Sequence, residues 1–340
     1  MDKRIKLRAD IEIGVCPTHV KFVGGLVPAD DGKLPRDENG ELFAVAEMRR
    51  LIERSPVKID SVQISQFNGT AADDLAEIYE RLQGLGLIVK IILMVGGANP
   101  MNPADEDVVV AQLVEGVNTA KKFGVTEVGS TSLEEWLSGA ERKEGADFDA
   151  AVEQVIRVHK RVYDEAEIEN SDLIVWQLEF LRGTEFTTFT DLGRVWKVAK
   201  GLNDVLGKKF FKLLVDAAHC GDSSLSIPEN EALIEQIAES GELGMFHASA
   251  RTTRGCLSTD DGWIGALLTA CAKTGELTEV IVELFHHEDE ALAALREAVD
   301  GHGTDTLDGR SYTDCVVEGL ENVSRRINNL VARGILAEKG

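Results

Sequence analysis

Three carboxylates and one imidazole stand where four hydrophobic segments of the chain stop. Glu179 follows Leu-Ile-Val-Trp-Gln-Leu, Asp216 follows Lys-Leu-Leu-Val, His247 follows Leu-Gly-Met-Phe, and Glu283 follows Val-Ile-Val. They lie 37, 31 and 36 residues apart, about one strand–helix unit each. At the C-terminal ends of successive parallel strands in a barrel such side chains would converge. Their donor types suit one hard divalent cation such as Mn²⁺ or Mg²⁺. A single polar residue at a strand end can simply mark where burial stops. Four in succession, all of metal-binding type, point to a site.

Strand parity supports the same grouping, because side chains two residues apart share a face. Glu179 shares one with Gln177, Val175 and Leu173, Asp216 with Leu214, His247 with Met245 and Leu243, and Glu283 with Ile281. Apart from Gln177 these neighbours are apolar, and the polar group comes last. More polar residues gather near the expected strand ends: His219 in Asp216-Ala-Ala-His219, Arg251 and Arg254 after His247, and His286 and His287 after Glu283. Gln66 and Asn68 end the second strand, and His19 and Lys21 follow the first. A mouth so furnished can grip a polyhydroxy compound, and it holds few aromatic rings on which nucleobases could stack.

The elements that would position these groups alternate along the chain. Short β-rich runs are expected at 11–16, 61–67, 88–95, 127–130, 173–179, 212–216, 243–247 and 280–284. Amphipathic helical patterns fall between them, among them 43–54, 72–82, 104–123 and 233–239, with Gly124 and Gly241 as helix stop signals. Eight strands alternating with helices close most simply as an α/β fold of the (β/α)₈ TIM barrel type, with an open doubly wound sheet as the alternative. Residues 133–170 exceed a minimal unit and read as a helical insertion after strand 4: a charged loop near 139–145, then a long helix with Val152, Val155, Ile156 and Val162 on one face. An extra C-terminal helix is expected within 312–336. No linker interrupts the pattern, so 1–340 reads as one domain, the barrel over about 11–300 and the extension over about 310–336. His159 reads as an ordinary surface or packing residue.

Bulk properties narrow the partners. A formal net charge of −23 over 340 residues opposes attraction to phosphate backbones. The longest apolar run, around 87–95, contains Lys90 and is too short to span a bilayer. The N-terminal Met-Asp-Lys-Arg-Ile-Lys-Leu-Arg lacks the apolar stretch of a signal peptide. Five scattered cysteines without a Cys-x-x-Cys pair suggest reduced thiols in a cytoplasmic protein. The expected partner is a small molecule, with neither nucleic acid nor membrane, and a homodimer or homotetramer is plausible from the added helix.

The ordered set Glu179, Asp216-x-x-His219, His247 and Glu283 resembles the xylose isomerase-like barrel superfamily over about residues 11–300. That group holds sugar-phosphate isomerases/epimerases, ketose 3-epimerases, inosose dehydratases and the endonuclease IV type of repair enzyme. The resemblance implies that Glu179, Asp216, His247 and Glu283 bind one divalent metal, Mn²⁺ foremost with Mg²⁺, Co²⁺ or Zn²⁺ as alternatives. It implies that His219 contacts substrate and that Arg251 or Arg254 helps hold its hydroxyls, although the usual arginine spacing matches neither. Gln66 and His19 complete the candidate substrate contacts.

The implied chemistry is enediolate proton transfer on a small sugar, keto-sugar or related polyol. Glu179 and Glu283, from the fifth and eighth strands, would act as proton carriers on opposite faces of the reacting carbon. The expected function is therefore a metal-dependent isomerase or epimerase. A metal-dependent lyase, whether dehydratase, decarboxylase or C–C/C–glycosyl cleaving, is the alternative on an oxidised sugar. A non-catalytic sugar-binding barrel is a further one. A phosphodiester hydrolase would call for more histidines and a basic groove.

Overall fold

The computed structural model describes residues 3–17, 23–250, 262–284, 293, 297 and 309–340. Eight parallel strands close into a barrel in sequence order, β1 to β8. They are β1 (Glu12–Cys16), β2 (Ser61–Gln66), β3 (Ile88–Leu93), β4 (Glu127–Ser130), β5 (Val175–Leu178), β6 (Phe211–Asp216), β7 (Leu243–Ala248) and β8 (Glu279–Glu283). Each lies within two residues of its expected bounds. Runs such as Ile-Ile-Leu in β3 and Val-Ile-Val in β8 are buried on both faces, as parallel strands between a core and a helical ring must be. Closure is direct: β1 pairs with β8 from Glu12 opposite Glu279 to Cys16 opposite Glu283.

Helices α1 (Val23–Leu26) and α2 (Phe43–Arg54) follow β1, α3 (Ala72–Gly84) follows β2, and α4 (Glu106–Lys122) follows β3. Then come α5 (Gly145–Glu165) after β4, α6 (Leu192–Leu206) after β5, and α7 (Ala217–Asp222) with α8 (Ile227–Glu239) after β6. Helix α9 (Trp263–Lys273) follows β7, and α10 (Tyr312–Ala332) is the C-terminal helix. Gly124 and Gly241, read from sequence as stops, both adopt the left-handed conformation just past α4 and α8. Among the described residues no helix is long and apolar enough to cross a membrane.

By its internal contacts the chain divides into two compact units. One comprises Met1–Val89, Asp216–Ala218 and Met245–Gly340. Its outer layer includes α2 against α3, and α10 against β8, α2 and α9. The extra helix expected at the C-terminus thus lies between α9 and α2, where it covers β8. Ser311 and Asp314 form its capping box, at 3.1 Å and 2.9 Å, and the Tyr312 hydroxyl donates to the Leu284 carbonyl at 2.9 Å. Cys16, Cys220, Cys271 and Cys315 are buried thiols outside any disulfide, and burial pushes the Cys271 thiol up to about 12.

The other unit comprises Lys90–Val215 and His219–Gly244. Here α5 packs between α4 and α6, so the long segment after β4 supplies a helix of the outer layer. His159 on α5 is fully buried between Trp176 and Phe211. Its Nδ1 lies 2.8 Å from the Val155 carbonyl, which can only accept, so that nitrogen carries the proton. Nε2 then accepts from the Ser132 hydroxyl at 2.8 Å. The Ser132 and Ser130 hydroxyls share a further 2.8 Å bond, and the Trp176 indole donates to Ser130 at 2.8 Å. Burial holds the imidazole down to about 4, the neutral form this chain of bonds requires.

Just before β7, Glu242 is fully buried as well. One carboxylate oxygen accepts from Lys209 at 2.7 Å and Asn203 at 3.2 Å, the other from Trp196 and Ser240, each at 2.6 Å. Burial pushes this carboxyl up, but the four donors outweigh it and its pKa stays below the usual value. Two residues on, Gly244 is needed for close approach. A Cβ there would sit 1.8 Å from the Gln177 side-chain oxygen and 2.6 Å from the Leu213 carbonyl.

Candidate active site

Each residue of the ordered set sits at or beside the end of its strand. The Glu179 amide donates to the Ser130 carbonyl at 3.0 Å, extending the β4–β5 ladder by one residue and fixing that carboxylate at the rim. Asp216 is the last residue of β6, and α7 begins at once, which puts His219 on its first turn. His247 lies in the final pair of β7, and Glu283 ends β8.

Glu179, Asp216, His247 and Glu283 converge: one ligand atom from each lies within 4.8 Å of the others. All four are buried, none more than 4% exposed. His247 Nδ1 is 3.0 Å from Glu283 Oε2 and 3.9 Å from Asp216 Oδ2. His219 Nε2 is 3.5 Å from Glu179 Oε1, and its ring packs against Phe180. The donor set fits a hard divalent ion. Oxygen and imidazole donors about 2.0–2.6 Å from one centre lie at most roughly 4–5 Å apart, the spread seen here.

The loops after β4 and β5 are braced by contacts that sequence spacing did not reveal. The Glu134 carboxylate is buried and gathers the backbone N–H groups of Thr187, Thr188 and Phe189 at 2.8–3.1 Å, together with the Thr187 hydroxyl at 2.6 Å. Trp136 donates its indole N–H to Glu185 at 3.2 Å, and the next residue, Leu137, takes a left-handed φ of 55° while bonding the Glu185 carbonyl. Arg182 and Asp222 form an ion pair at 3.2 Å that ties the β5 loop to the end of α7. These partners are about 40–55 residues apart and follow no period. Their position just past the ends of β4, β5 and β6 was the one available signal.

Of the remaining candidates, Gln66 ends β2, buried, and accepts from the Tyr79 hydroxyl at 3.1 Å. His19, Arg251, Arg254, His286 and His287 lie outside the described residues.

No protein-family model matches the chain, and no curated protein matches it in sequence. Solved structures do match in fold. The fold is that of known sugar epimerases. A D-allulose 3-epimerase from Methylomonas sp. superposes with a TM-score of 0.70 at 16% identity, covering 95% of this chain and 99% of that one. A D-psicose 3-epimerase from Clostridium cellulolyticum, solved with D-tagatose, gives 0.66 at 14% identity over 93% and 99%. The IOLI protein with a bound zinc atom gives 0.62 at 13% over 95% and 99%. At these identities the likeness establishes a shared barrel and no more.

Proposed function

We propose that the chain is a divalent-metal-dependent isomerase or epimerase acting on a small sugar, keto-sugar or related polyol by enediolate proton transfer. The convergence of Glu179, Asp216, His247 and Glu283 carries this reading. Those four side chains would hold the ion, Mn²⁺ foremost. When bound, it would supply Lewis acidity toward adjacent substrate oxygens.

The chain's own residues supply the rest. Glu179 and Glu283 reach the site from β5 and β8, and each carboxylate can take up or return a proton at a carbon held between them. Asp216 and His247 fix the frame: both are fully buried, and the His247 ring is held by Glu283 at 3.0 Å. His219, 3.5 Å from Glu179, orients that carboxylate and offers its imidazole to a substrate oxygen. Burial of the whole group excludes bulk water, which strengthens each electrostatic contact. The neighbours named for D-allulose and D-psicose epimerisation, and the one carrying zinc, agree with this reading.

Incubation with ketoses and Mn²⁺ in D₂O, followed by NMR, tests it. Deuterium should enter the carbon beside the carbonyl, and the product should conserve mass. Exchange in Glu283→Gln as fast as in the unchanged chain would remove the mechanism. Loss of water or carbon dioxide from the product would make the chain a lyase.

A further inference from the structure

Helices α9 and α10 pack side by side, and a cavity of about 310 Å³ lies in the groove they form. Three arginines line it, Arg325, Arg326 and Arg333, together with Asn322 and Asn329 of the same helix. Asn322, Arg326, Asn329 and Arg333 follow one another at i, i+4, i+7 and i+11, which is a single stripe of a helix. Amide and guanidinium donors alternate along it. Gly265 of α9 makes room: a Cβ there would sit 2.7 Å from an Arg326 guanidinium nitrogen. The buried Leu268 and Leu330 add an apolar part to the lining.

This grouping runs against the composition of the chain. Acidic residues outnumber Lys and Arg by 59 to 36, and arginines elsewhere lie among carboxylates. Arg161, for example, meets Glu106, Asp107 and Glu165 at 2.7–3.0 Å. Among the described residues no Asp or Glu lines the cavity, although Arg325 reaches Glu321 at 2.6 Å. A guanidinium carries five N–H donors, so an arginine bonded along one edge still offers the other to a ligand. Three such forks around one cavity call for a group that only accepts and that has more than two oxygens. A phosphate monoester presents three, with a charge of about −1.5 to −2 at pH 7, where a carboxylate presents two. The volume, at the low end of the roughly 300–1,000 Å³ of ligand sites, fits a small ester whose carbon chain meets Leu268 and Leu330.

We infer that the groove between α9 and α10 is a binding site for a small phosphate monoester. It shares no residue with the four-ligand group at the strand ends. Binding alone reads it, so it stands or falls independently of the proposed reaction. The net charge of −23 repels anions in general, which leaves the local donors to account for any affinity.

Titration calorimetry of the whole chain with sn-glycerol 3-phosphate, without added divalent ion, should show one saturable site. D-glycerate, the carboxylate counterpart, should bind at least tenfold more weakly. Arg333→Ala removes a fork and Asn329→Trp fills the groove, both from exposed positions. Each should weaken the ester tenfold or more with the thermal midpoint unchanged, while Arg50→Ala, on α2 outside the groove, should leave its affinity as it was. No saturable binding, equal binding of ester and glycerate, or an affinity that survives both groove substitutions would overturn the site. So would a loss in Arg50→Ala as large as in Arg333→Ala, which would mark general charge attraction.

Discussion

Two buried acidic places in this barrel handle charge in opposite ways. At Glu242 one carboxylate meets four donors, from Lys209, Asn203, Trp196 and Ser240, and its charge is satisfied by the chain. At the strand ends Glu179, Asp216 and Glu283 crowd together with one imidazole, three carboxyl groups to a single basic ring within that set. A carboxylate surrounded by donors is a structural brace. Carboxylates gathered on one another are costly unless a cation joins them, and such cost is what evolution tolerates for function. The contrast separates a residue that braces the fold from the residues proposed for the chemistry.

The largest expected difference is catalytic. Glu283→Gln should lower ketose turnover by about 10²–10⁴-fold, the range for a lost acid–base group, with the thermal midpoint unchanged or raised. A variant that unfolds would move Glu283 to the structural side of the comparison. His159 should show next. Its pKa is held at about 4 in the folded chain, below the unfolded value of about 6.5. The unfolded chain therefore binds the proton first, and stability present above pH 6.5 is lost as pH falls toward 4, up to about 3 kcal/mol. Comparing denaturant midpoints of the unchanged chain and His159→Gln across this window would measure it. No difference in pH slope would contradict the buried neutral imidazole.

Glu242→Ala should destabilise by about 1–3 kcal/mol, because buried donors lose their acceptor, while ketose exchange keeps its rate. A loss of activity at full stability would place Glu242 with the chemistry. Smallest is the surface control. Glu106 is drawn down to about 2 by hydrogen bonds from Arg161, Gln154 and Arg157, but the two arginines are solvated. Glu106→Gln should change stability by less than about 1 kcal/mol in urea titrations.

What could be read from the sequence follows the same division. The strands were legible because parallel strands bury both faces and stop at a polar residue, and the four strand-end groups were legible because each one ends such a run. Local order sufficed for both. His159 was read as an ordinary surface or packing residue, and it is a packing one; its partners stayed hidden because Ser132 and Trp176 come from other elements. Glu134 with the Thr187–Phe189 backbone, Arg182 with Asp222, and Gly244 beneath Gln177 were hidden for the same reason: each is a contact between loops or strands distant in the chain. Candidate substrate contacts divide likewise, with Gln66 at the end of β2 and His219 on the first turn of α7, and His19, Arg251 and Arg254 on segments outside the described residues.

Titration of the purified chain with Mn²⁺, followed by calorimetry and by the electron paramagnetic resonance of the bound ion, tests the convergence most directly. One ion per chain is expected, with affinity at least a hundredfold weaker in Asp216→Asn and unchanged in Glu242→Gln. No saturable ion in the unchanged chain, or equal affinity in Asp216→Asn, would contradict a shared centre at Glu179, Asp216, His247 and Glu283.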